Sequence, residues 1–265
     1  MAESTTETGM KRFFGIELAE LLAGKIAAVE PAFDARGFVG DVRASNITEL
    51  ELLARVDLLA RHLREHLSPS YPDAIRVLQG IFGPENPNET GMFTFWYWLW
   101  PVGTFIAEYG LEHHAQSIEA IGELTKRNTG EFAIRPYIVV HPDYTLNAIR
   151  DWSRSPNFHL RRLASEGLRP RLPWAKKLRI YLDDPAPVFE VLDTLRDDTC
   201  RFVQKSVANN VNDYIKDNRP AALALLSSWA TDATTQRRWT IKHALRNEIK
   251  RGADDALAII ETARG

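Results

Sequence analysis

The sequence predicts an all-α protein in which pairs of helices are stacked as repeats. Apolar residues recur at spacings of three and four along nearly the whole chain, which is the period of an amphipathic helix. No clear run alternates apolar and polar residues between hairpin turns, so no strand is predicted. A pattern that returns about every 40 residues in the second half indicates that the helices form repeats.

The N-terminal third contains the clearest single helix. Its apolar positions predict one buried face between Ile47 and Leu67. Segments rich in glycine, proline and polar residues, at Gly83–Gly91 and Asp183–Pro187, predict breaks between helices. Residues 1–10 are polar and predict a disordered N-terminus, so we expect a single domain over residues 11–265. The apolar positions of the helix are Ile47, Leu50, Leu53, Val56, Leu59, Leu63 and Leu67.

Three segments of the second half share one pattern. Residues 149–167, 191–209 and 226–246 each contain an apolar anchor, a short polar turn and a basic residue that opens an amphipathic helix. A period near 40 built from two helices is typical of HEAT or armadillo repeats, in which the second helices line one face. Glu166, Asn209 and Arg246 each follow the basic residue by four positions, so we expect them to share that face. The anchors are Trp152, Leu195 and Trp229, and the basic residues are Arg162, Lys205 and Lys242.

Basic residues are concentrated in one stretch of a chain whose formal net charge is −2. The segment from Arg154 to Arg179 contains eight basic residues and a single acid, Glu166. A local basic surface attracts a polyanion whatever the net charge of the chain. Solvated helix faces are also often basic and many HEAT arrays bind proteins, so nucleic acid and an acidic protein both fit this pattern.

Composition excludes several classes of protein. The single cysteine, Cys200, excludes an intramolecular disulfide framework and a cysteine-based zinc site, which fits a reducing cytoplasm. The most apolar run, Phe93–Ile106, is too short to span a bilayer and contains Pro101. No secretory signal, phosphate-binding glycine loop or GxSxG motif is present. We therefore expect a cytoplasmic protein that does not insert into a membrane and binds no metal or cofactor.

Three motifs carry a family resemblance. They are GEFAIRPYI at residues 130–138, HLRRLASEGLRPRLPWA at residues 159–175 and KSVANNVNDYIKD at residues 205–217. In this order and spacing they resemble the DNA alkylation repair glycosylases of the AlkC/AlkD superfamily, and within it the AlkC branch. The resemblance covers roughly residues 117–251 and is to a form lacking a C-terminal immunoglobulin-like domain.

The resemblance implies a fold and an activity. The fold is a curved, right-handed solenoid of HEAT-like repeats that binds duplex DNA in its concave groove as a monomer. The activity is hydrolysis of the N-glycosidic bond of cationic alkylated bases, namely 3-methylcytosine, 1-methyladenine and 3-methyladenine. The family is unusual in leaving the base unflipped, whereas other glycosylases extrude it into a pocket. No cofactor is implied.

The residues present suit this chemistry. A base made cationic by alkylation is already a good leaving group, and positive charge develops on the deoxyribose as the bond breaks. Negative charge near the sugar, a positioned water and an electron-rich aromatic face would all favour the reaction.

The motifs also imply residue roles. By motif position, Glu131 and Glu166 are the catalytic carboxylates and Trp174 is an aromatic wall against the lesion nucleotide. Arg162 is the phosphate anchor, and Asp213 is a further acid in the groove. The candidate contacts to the DNA backbone, or partners that support the site, are Arg135, Arg161, Arg169, Arg171 and Lys205.

Each of these residues also has an ordinary structural alternative. Glu131 could pair with Arg135, and Glu166 with Arg162, because residues four apart meet on one helix face. Trp174 could be a core residue, as most tryptophans are largely buried.

The sequence also departs from the family pattern just before Glu131. Asn128 and Gly130 stand where we expect an aromatic and a small non-glycine residue, and Gly130 would cost helix stability. Two alternative functions follow from these considerations. One is a related protein that binds DNA structures without cleaving them, and the other is a helical-repeat scaffold for an acidic protein.

Overall fold

The computed structural model describes residues 9–91 and 95–264, and these residues are all-helical. They contain fifteen α-helices and four short 3-10 helices, with no strand in the described ranges. The predicted all-α fold class is therefore confirmed. Most of residues 1–10, predicted to be disordered, lie outside the described residues, but Met10 begins a 3-10 helix, Met10–Phe13, so the prediction is wrong there.

The described residues divide into two compact units. One comprises residues 9–86 with residue 91 and residues 95–129, and the other comprises residues 87–90 and 130–264. The single domain predicted over residues 11–265 stays a prediction. The first unit holds α1 (Ile16–Val29), α2 (Ala35–Ala44), α3 (Leu52–His66), α4 (Tyr71–Gly80), α5 (Trp100–Tyr109) and α6 (His114–Thr125). The second holds α7 (Ile134–Val140), α8 (Pro142–Ser153), α9 (Phe158–Glu166), α10 (Ala186–Leu195), α11 (Arg201–Asp217), α12 (Arg219–Ala230), α13 (Thr235–Ala244), α14 (Arg246–Lys250) and α15 (Asp254–Arg264).

The helix predicted from Ile47 is divided in two. Residues Ile47–Glu49 form a 3-10 helix, Leu50 is extended, and α3 begins only at Leu52. The buried side chain of Arg55 stabilises this break, because its guanidinium donates to the carbonyls of Leu50 at 2.8 Å and Thr48 at 2.5 Å. The predicted apolar face is otherwise buried, except at Leu50, which is half-buried, and at Leu53, which is exposed.

The most apolar run of the sequence, Phe93–Ile106, lies partly outside the described residues. Residues 92–94 are not described, and the remainder forms the 3-10 helix Tyr97–Leu99 and the first part of α5. Within the described ranges, no helix combines the length and the apolar character needed to cross a bilayer.

The second unit is built from helix pairs, as the repeat pattern predicts. The helices α9, α11 and α13 pack against one another in series, while α8, α10 and α12 are their partners in the pairs α8/α9, α10/α11 and α12/α13. Two predicted anchors, Leu195 and Trp229, are fully buried, and the indole nitrogen of Trp229 donates to Asp193 Oδ1 of α10 at 2.7 Å. Trp152 is half-buried.

The predicted positions of the basic residues within these helices are wrong by a turn or more. Arg162 and Lys205 lie in the second turn of α9 and α11, and Lys242 lies near the end of α13. Polar capping residues set the true starts. Asn157 Oδ1 accepts from the backbone nitrogens of His159 and Leu160 at the start of α9, and Thr234 caps α13 through the nitrogen of Arg237.

Candidate active site

Five charged side chains of the second unit form an alternating chain, which we call the carboxylate cluster. Arg162 binds Glu131 through Nη1, and its Nη2 lies 3.5 Å from Glu166 Oε1. Arg169 continues the chain, with Nη1 2.7 Å from Glu166 Oε1 and Nε 2.9 Å from Asp213 Oδ2. Each guanidinium therefore joins two carboxylates, and the three acids predicted from the motifs lie together.

Elements far apart in the sequence supply this cluster. Glu131 comes from the turn before α7, Arg162 and Glu166 from successive turns of α9, and Asp213 from α11. Arg169 lies just after α9, where it reaches both Glu166 and Asp213. The site therefore forms only when α7, α9 and α11 are packed together.

The surroundings of Glu131 differ from the predicted helix. Glu131 precedes α7, so it does not share a helix with Arg135 and the expected helical ion pair does not describe it. Gly130 lies in the coil before α7, where a glycine does not weaken a helix. Asn128 is buried, and its Nδ2 donates to the carbonyl of Trp96 at 3.1 Å within the first unit.

Glu166 is buried and held as an anion. Its Oε1 is bound by Arg169, and its Oε2 accepts a hydrogen bond of 2.6 Å from Ser206 Oγ on α11. Burial alone would raise the pKa of Glu166, but Arg162, Arg169 and the hydrogen bond from Ser206 lower it below its ordinary value. The pairing with Arg162 that we considered as an alternative to catalysis is thus present as part of the same cluster.

The other groups of the cluster respond to the same two forces. Burial works against the charge on Arg162, yet the nearby Glu131 and Glu166 raise its pKa. Burial raises the pKa of Asp213 despite its bond to Arg169. Of the three carboxylates, Glu131 has the most exposed side chain, 11% against 7% for Glu166 and 4% for Asp213. Glu131 is therefore the most accessible of the three acids to solvent.

Arg135 is bonded to backbone groups within the protein. Its side chain is buried, and its guanidinium donates to the backbone carbonyls of Gly167 at 3.2 Å, Arg169 at 2.9 Å and Lys176 at 2.7 Å. Burial, and then the neighbouring charge of Arg169, lower its pKa to about 10. Of the two roles predicted for Arg135, the structure supports that of a residue that supports the site.

Trp174 lies on the surface and not in the core. Its side chain is 58% exposed, so the alternative of a core residue is wrong. Its φ of 61° is in the left-handed region, which a bulky residue rarely adopts and which costs on the order of 1 kcal/mol.

Two other predicted contacts to DNA are engaged in ion pairs within the protein. Arg161 makes two hydrogen bonds to Asp198, at 2.6 and 3.2 Å, and donates to backbone carbonyls before α9. Arg171 likewise makes two bonds to Asp217, at 2.9 and 2.6 Å, although its side chain is half-exposed. Both guanidinium groups are therefore paired with carboxylates of the protein, whereas the side chain of Lys205 is exposed.

The second unit also has a basic face that the motifs did not indicate fully. The guanidinium of Arg201 lies 4.0 Å from the ring centre of Trp239, and that ring stacks on His243 at 4.8 Å. Burial, followed by the charges of Arg246, Lys205 and Arg201, lowers the pKa of His243, so these cations surround it. Arg246 also binds Asn209 Oδ1 at 3.0 Å, as expected for residues that share a face. We use "basic face" for Arg201, Lys205, Trp239, His243 and Arg246.

The described residues contain no group of three or more histidine, cysteine, aspartate or glutamate side chains placed to hold a metal ion.

Ser206 is the functional candidate that sequence reasoning missed. It lies in the KSVANNVNDYIKD motif, but the sequence does not indicate that it binds Glu166, because the two residues meet only when α9 and α11 are packed together.

Comparison with known proteins places this site in a family. The family model described as DNA alkylation repair enzyme matches residues 128–247, which include the whole carboxylate cluster. A Bacillus subtilis (strain 168) protein, the uncharacterized YhaZ, is 34% identical over 251 residues, covering 94% of this chain and 67% of that protein. The chain belongs to the DNA alkylation repair enzyme family.

A solved structure agrees with this family and with the fold. It is the Pseudomonas fluorescens alkylpurine DNA glycosylase AlkC bound to DNA containing an abasic site analog, with a TM-score of 0.86 and 32% identity. The match covers 96% of this chain and 69% of that chain. The all-helical, HEAT-like repeat fold predicted from the sequence is thereby confirmed.

The hydrogen bond between Ser206 and Glu166 makes a prediction about stability and pH. A bond to an ionised partner contributes about 1.5–3 kcal/mol, so Ser206→Ala should lower the free energy of unfolding by about that amount at pH 7. Because the folded-state pKa of Glu166 is lowered, this contribution is present above the ordinary value of 4.5 and is lost as the pH falls through the folded-state pKa. Urea unfolding at several pH values measures it.

Ser153→Ala is the matched control. Ser153 is equally buried, but its hydroxyl donates to a neutral acceptor, the carbonyl of Arg150, at 2.7 Å. Its effect on the free energy of unfolding should not change with pH. If the two alanine variants showed the same pH dependence, Ser206 would not be supporting an ionised Glu166.

Proposed function

We propose that this chain is a DNA glycosylase that hydrolyses the N-glycosidic bond of cationic alkylated bases in duplex DNA. The substrates proposed are 3-methylcytosine, 1-methyladenine and 3-methyladenine. The observation that carries the proposal is the buried carboxylate cluster, in which Glu166 is kept ionised, within the segment that matches the DNA alkylation repair enzyme family. The similarity to AlkC, a DNA glycosylase, supports the reaction class.

The cluster suits this reaction for an electrostatic reason. The alkylated base leaves without being protonated, and positive charge develops on the deoxyribose. Carboxylates already fixed in place stabilise that charge without reorganising during the reaction. Arg162, Arg169 and Ser206 hold Glu166 in one position, so its charge is pre-organised in this sense.

We assign different roles to the three acids. Glu131, the most exposed, lies nearest the sugar and orients the attacking water. Glu166 supplies a fixed negative charge behind it. Asp213 holds Arg169 from the side of α11 and so keeps the cluster together.

Arg162 and Trp174 are the proposed contacts to the lesion strand. Arg162 keeps the role of phosphate anchor that its motif position implies, and its guanidinium lies between Glu131 and Glu166. The exposed ring of Trp174 attracts a cationic nucleotide through its electron-rich face. An exposed ring on a loop suits a base that remains within the duplex, so we propose recognition without base flipping.

The basic face is the proposed contact with the rest of the duplex. Burial and the cations on α11 and α14 lower the pKa of His243 on α13, and a surface with such closely spaced cations attracts phosphates. We also propose that the protein acts as a monomer and without a cofactor, as the family resemblance implies.

One observation favours a second candidate, a relative that binds DNA without cleaving it. All three carboxylates are engaged by arginine, and their side chains are largely buried. In that case the cluster would be purely structural.

Base release from randomly methylated duplex DNA, with chromatographic identification of each free base, separates the two candidates. The wild-type chain should release 3-methylcytosine. Glu166→Gln and Glu131→Gln should each slow release at least 100-fold, because they remove charge while leaving the volume of the side chain unchanged. Both variants should still bind the DNA.

The exposed Glu190, which pairs with Arg150, provides the control Glu190→Gln. This variant should release bases at the wild-type rate. DNA binding without release by the wild-type chain would favour the non-catalytic candidate. Release that persisted in Glu166→Gln would contradict the mechanism.

Lys205 tests the basic face. Lys205→Ala should weaken duplex binding and reduce the slope of log affinity against log salt concentration by about 0.9, the value for one phosphate contact. Fluorescence anisotropy with undamaged duplex at several salt concentrations measures this slope. Arg264→Ala removes an exposed cation that pairs with Glu261 on α15, and it should leave the slope unchanged. An unchanged slope in Lys205→Ala would place Lys205 off the DNA.

A further inference from the structure

Residues 167–178 form a loop between α9 and α10 that we call the Trp174 loop. It consists of turns and coil, without helix or strand. The nitrogen of Leu178 donates to the carbonyl of Pro170 at 3.0 Å, which brings the ends of the loop together. Pro170 and Pro173 restrict the backbone on the approach to Trp174.

Arg135 holds this loop from the inside. Its three carbonyl acceptors, on Gly167, Arg169 and Lys176, belong to the two ends of the loop, which are joined by one buried guanidinium. Burying an arginine without a carboxylate in direct hydrogen-bond contact is costly, as its lowered pKa reflects. Because the three hydrogen bonds of Arg135 join both ends of the loop, they hold it in one backbone conformation.

Asp217, at the end of α11, holds the same loop through a side chain that is only 4% exposed. It accepts from Arg171 Nη2 and from Lys177 Nζ, both at 2.6 Å, so it joins residues on either side of Trp174. Asp217 is the last residue of α11, where the helix dipole disfavours a carboxylate. Hydrogen bonding from Arg171 nevertheless lowers its pKa, so the loop residues more than offset that effect.

Trp174 lies between these two attachments. Its left-handed φ of 61° is a strained conformation, which persists only where the surroundings determine it. The two attachments provide that constraint. The backbone that carries the indole is therefore held in one conformation, so Trp174 does not lie on a freely moving loop.

We propose that Arg135 and Asp217 are positioning residues that act on the lesion strand through Trp174. This inference rests on the proposed function, because it requires Trp174 to contact the damaged nucleotide. Neither residue touches the substrate. Each sets the position of the indole against the base, and misplacement of such a group by about 1 Å is enough to cost up to about 100-fold in rate.

A double-mutant cycle distinguishes positioning from a general contribution to folding. Arg135→Met and Asp217→Asn should each slow single-turnover base release about tenfold when Trp174 is present. In the Trp174→Ala background, neither substitution should slow release further, because the group that it positions is gone. Glu190→Gln, which breaks an exposed ion pair outside the loop, should have no effect in either background.

A second readout does not depend on activity. The chain has seven tryptophans, and 19F NMR of the full chain labelled with 5-fluorotryptophan, with Trp174→Phe to assign the signal, isolates Trp174. Asp217→Asn should shift the Trp174 resonance towards that of the unfolded chain and leave the other six in place. Glu190→Gln should leave all seven unchanged.

Two kinds of outcome would overturn the inference. Equal slowing with and without Trp174, or no slowing at all, would exclude positioning through the indole. If the wild-type chain released no base, the proposed function would fail, and an unmoved Trp174 resonance in Asp217→Asn would then separately exclude the attachment. If Arg135→Met did not fold, Asp217→Asn would carry both tests.

Discussion

Burial of carboxylates is the constraint on which the second unit depends. An unpaired charge in a protein interior costs several kcal/mol, and removing one partner of a buried pair costs about 3–5 kcal/mol. Glu131, Glu166 and Asp213 therefore require Arg162 and Arg169 at short range. The three acids come from the turn before α7, from α9 and from α11, so satisfying their charges fixes how these elements pack.

The same interactions link the cluster to the surface that would contact DNA. Arg169 binds two acids with its side chain, while its backbone carbonyl accepts from Arg135, which holds the ends of the Trp174 loop. On α11, Ser206 supports Glu166, and one turn earlier Phe202 lies under the guanidinium of Arg162 at 5.0 Å. A ligand that met Glu131 and Trp174 would thus meet groups whose positions are set by one connected network.

Local sequence signals predict the fold well, and they predict long-range partners poorly. The helical period and the repeat near 40 residues predict the helix pairs, because both depend on spacing along the chain. The motifs predict that Glu131, Glu166 and Asp213 belong to one site. The role of Arg135 depends on carbonyls more than 30 residues away, and that of Ser206 on a carboxylate 40 residues away. Side-chain spacing carries no information about such partners.

In the proposed mechanism, the carboxylate cluster stabilises positive charge on the sugar. The most direct test compares the affinity of the protein for two duplexes that differ only at one abasic position, a cationic pyrrolidine in one and a neutral tetrahydrofuran in the other. Transition-state analogues bind about 100-fold or more tightly than ground-state ligands, so the wild-type chain should prefer the cationic duplex by about that factor, and Glu166→Gln should lose most of the preference. Equal affinity of the wild-type chain for the two duplexes would exclude this role of the cluster.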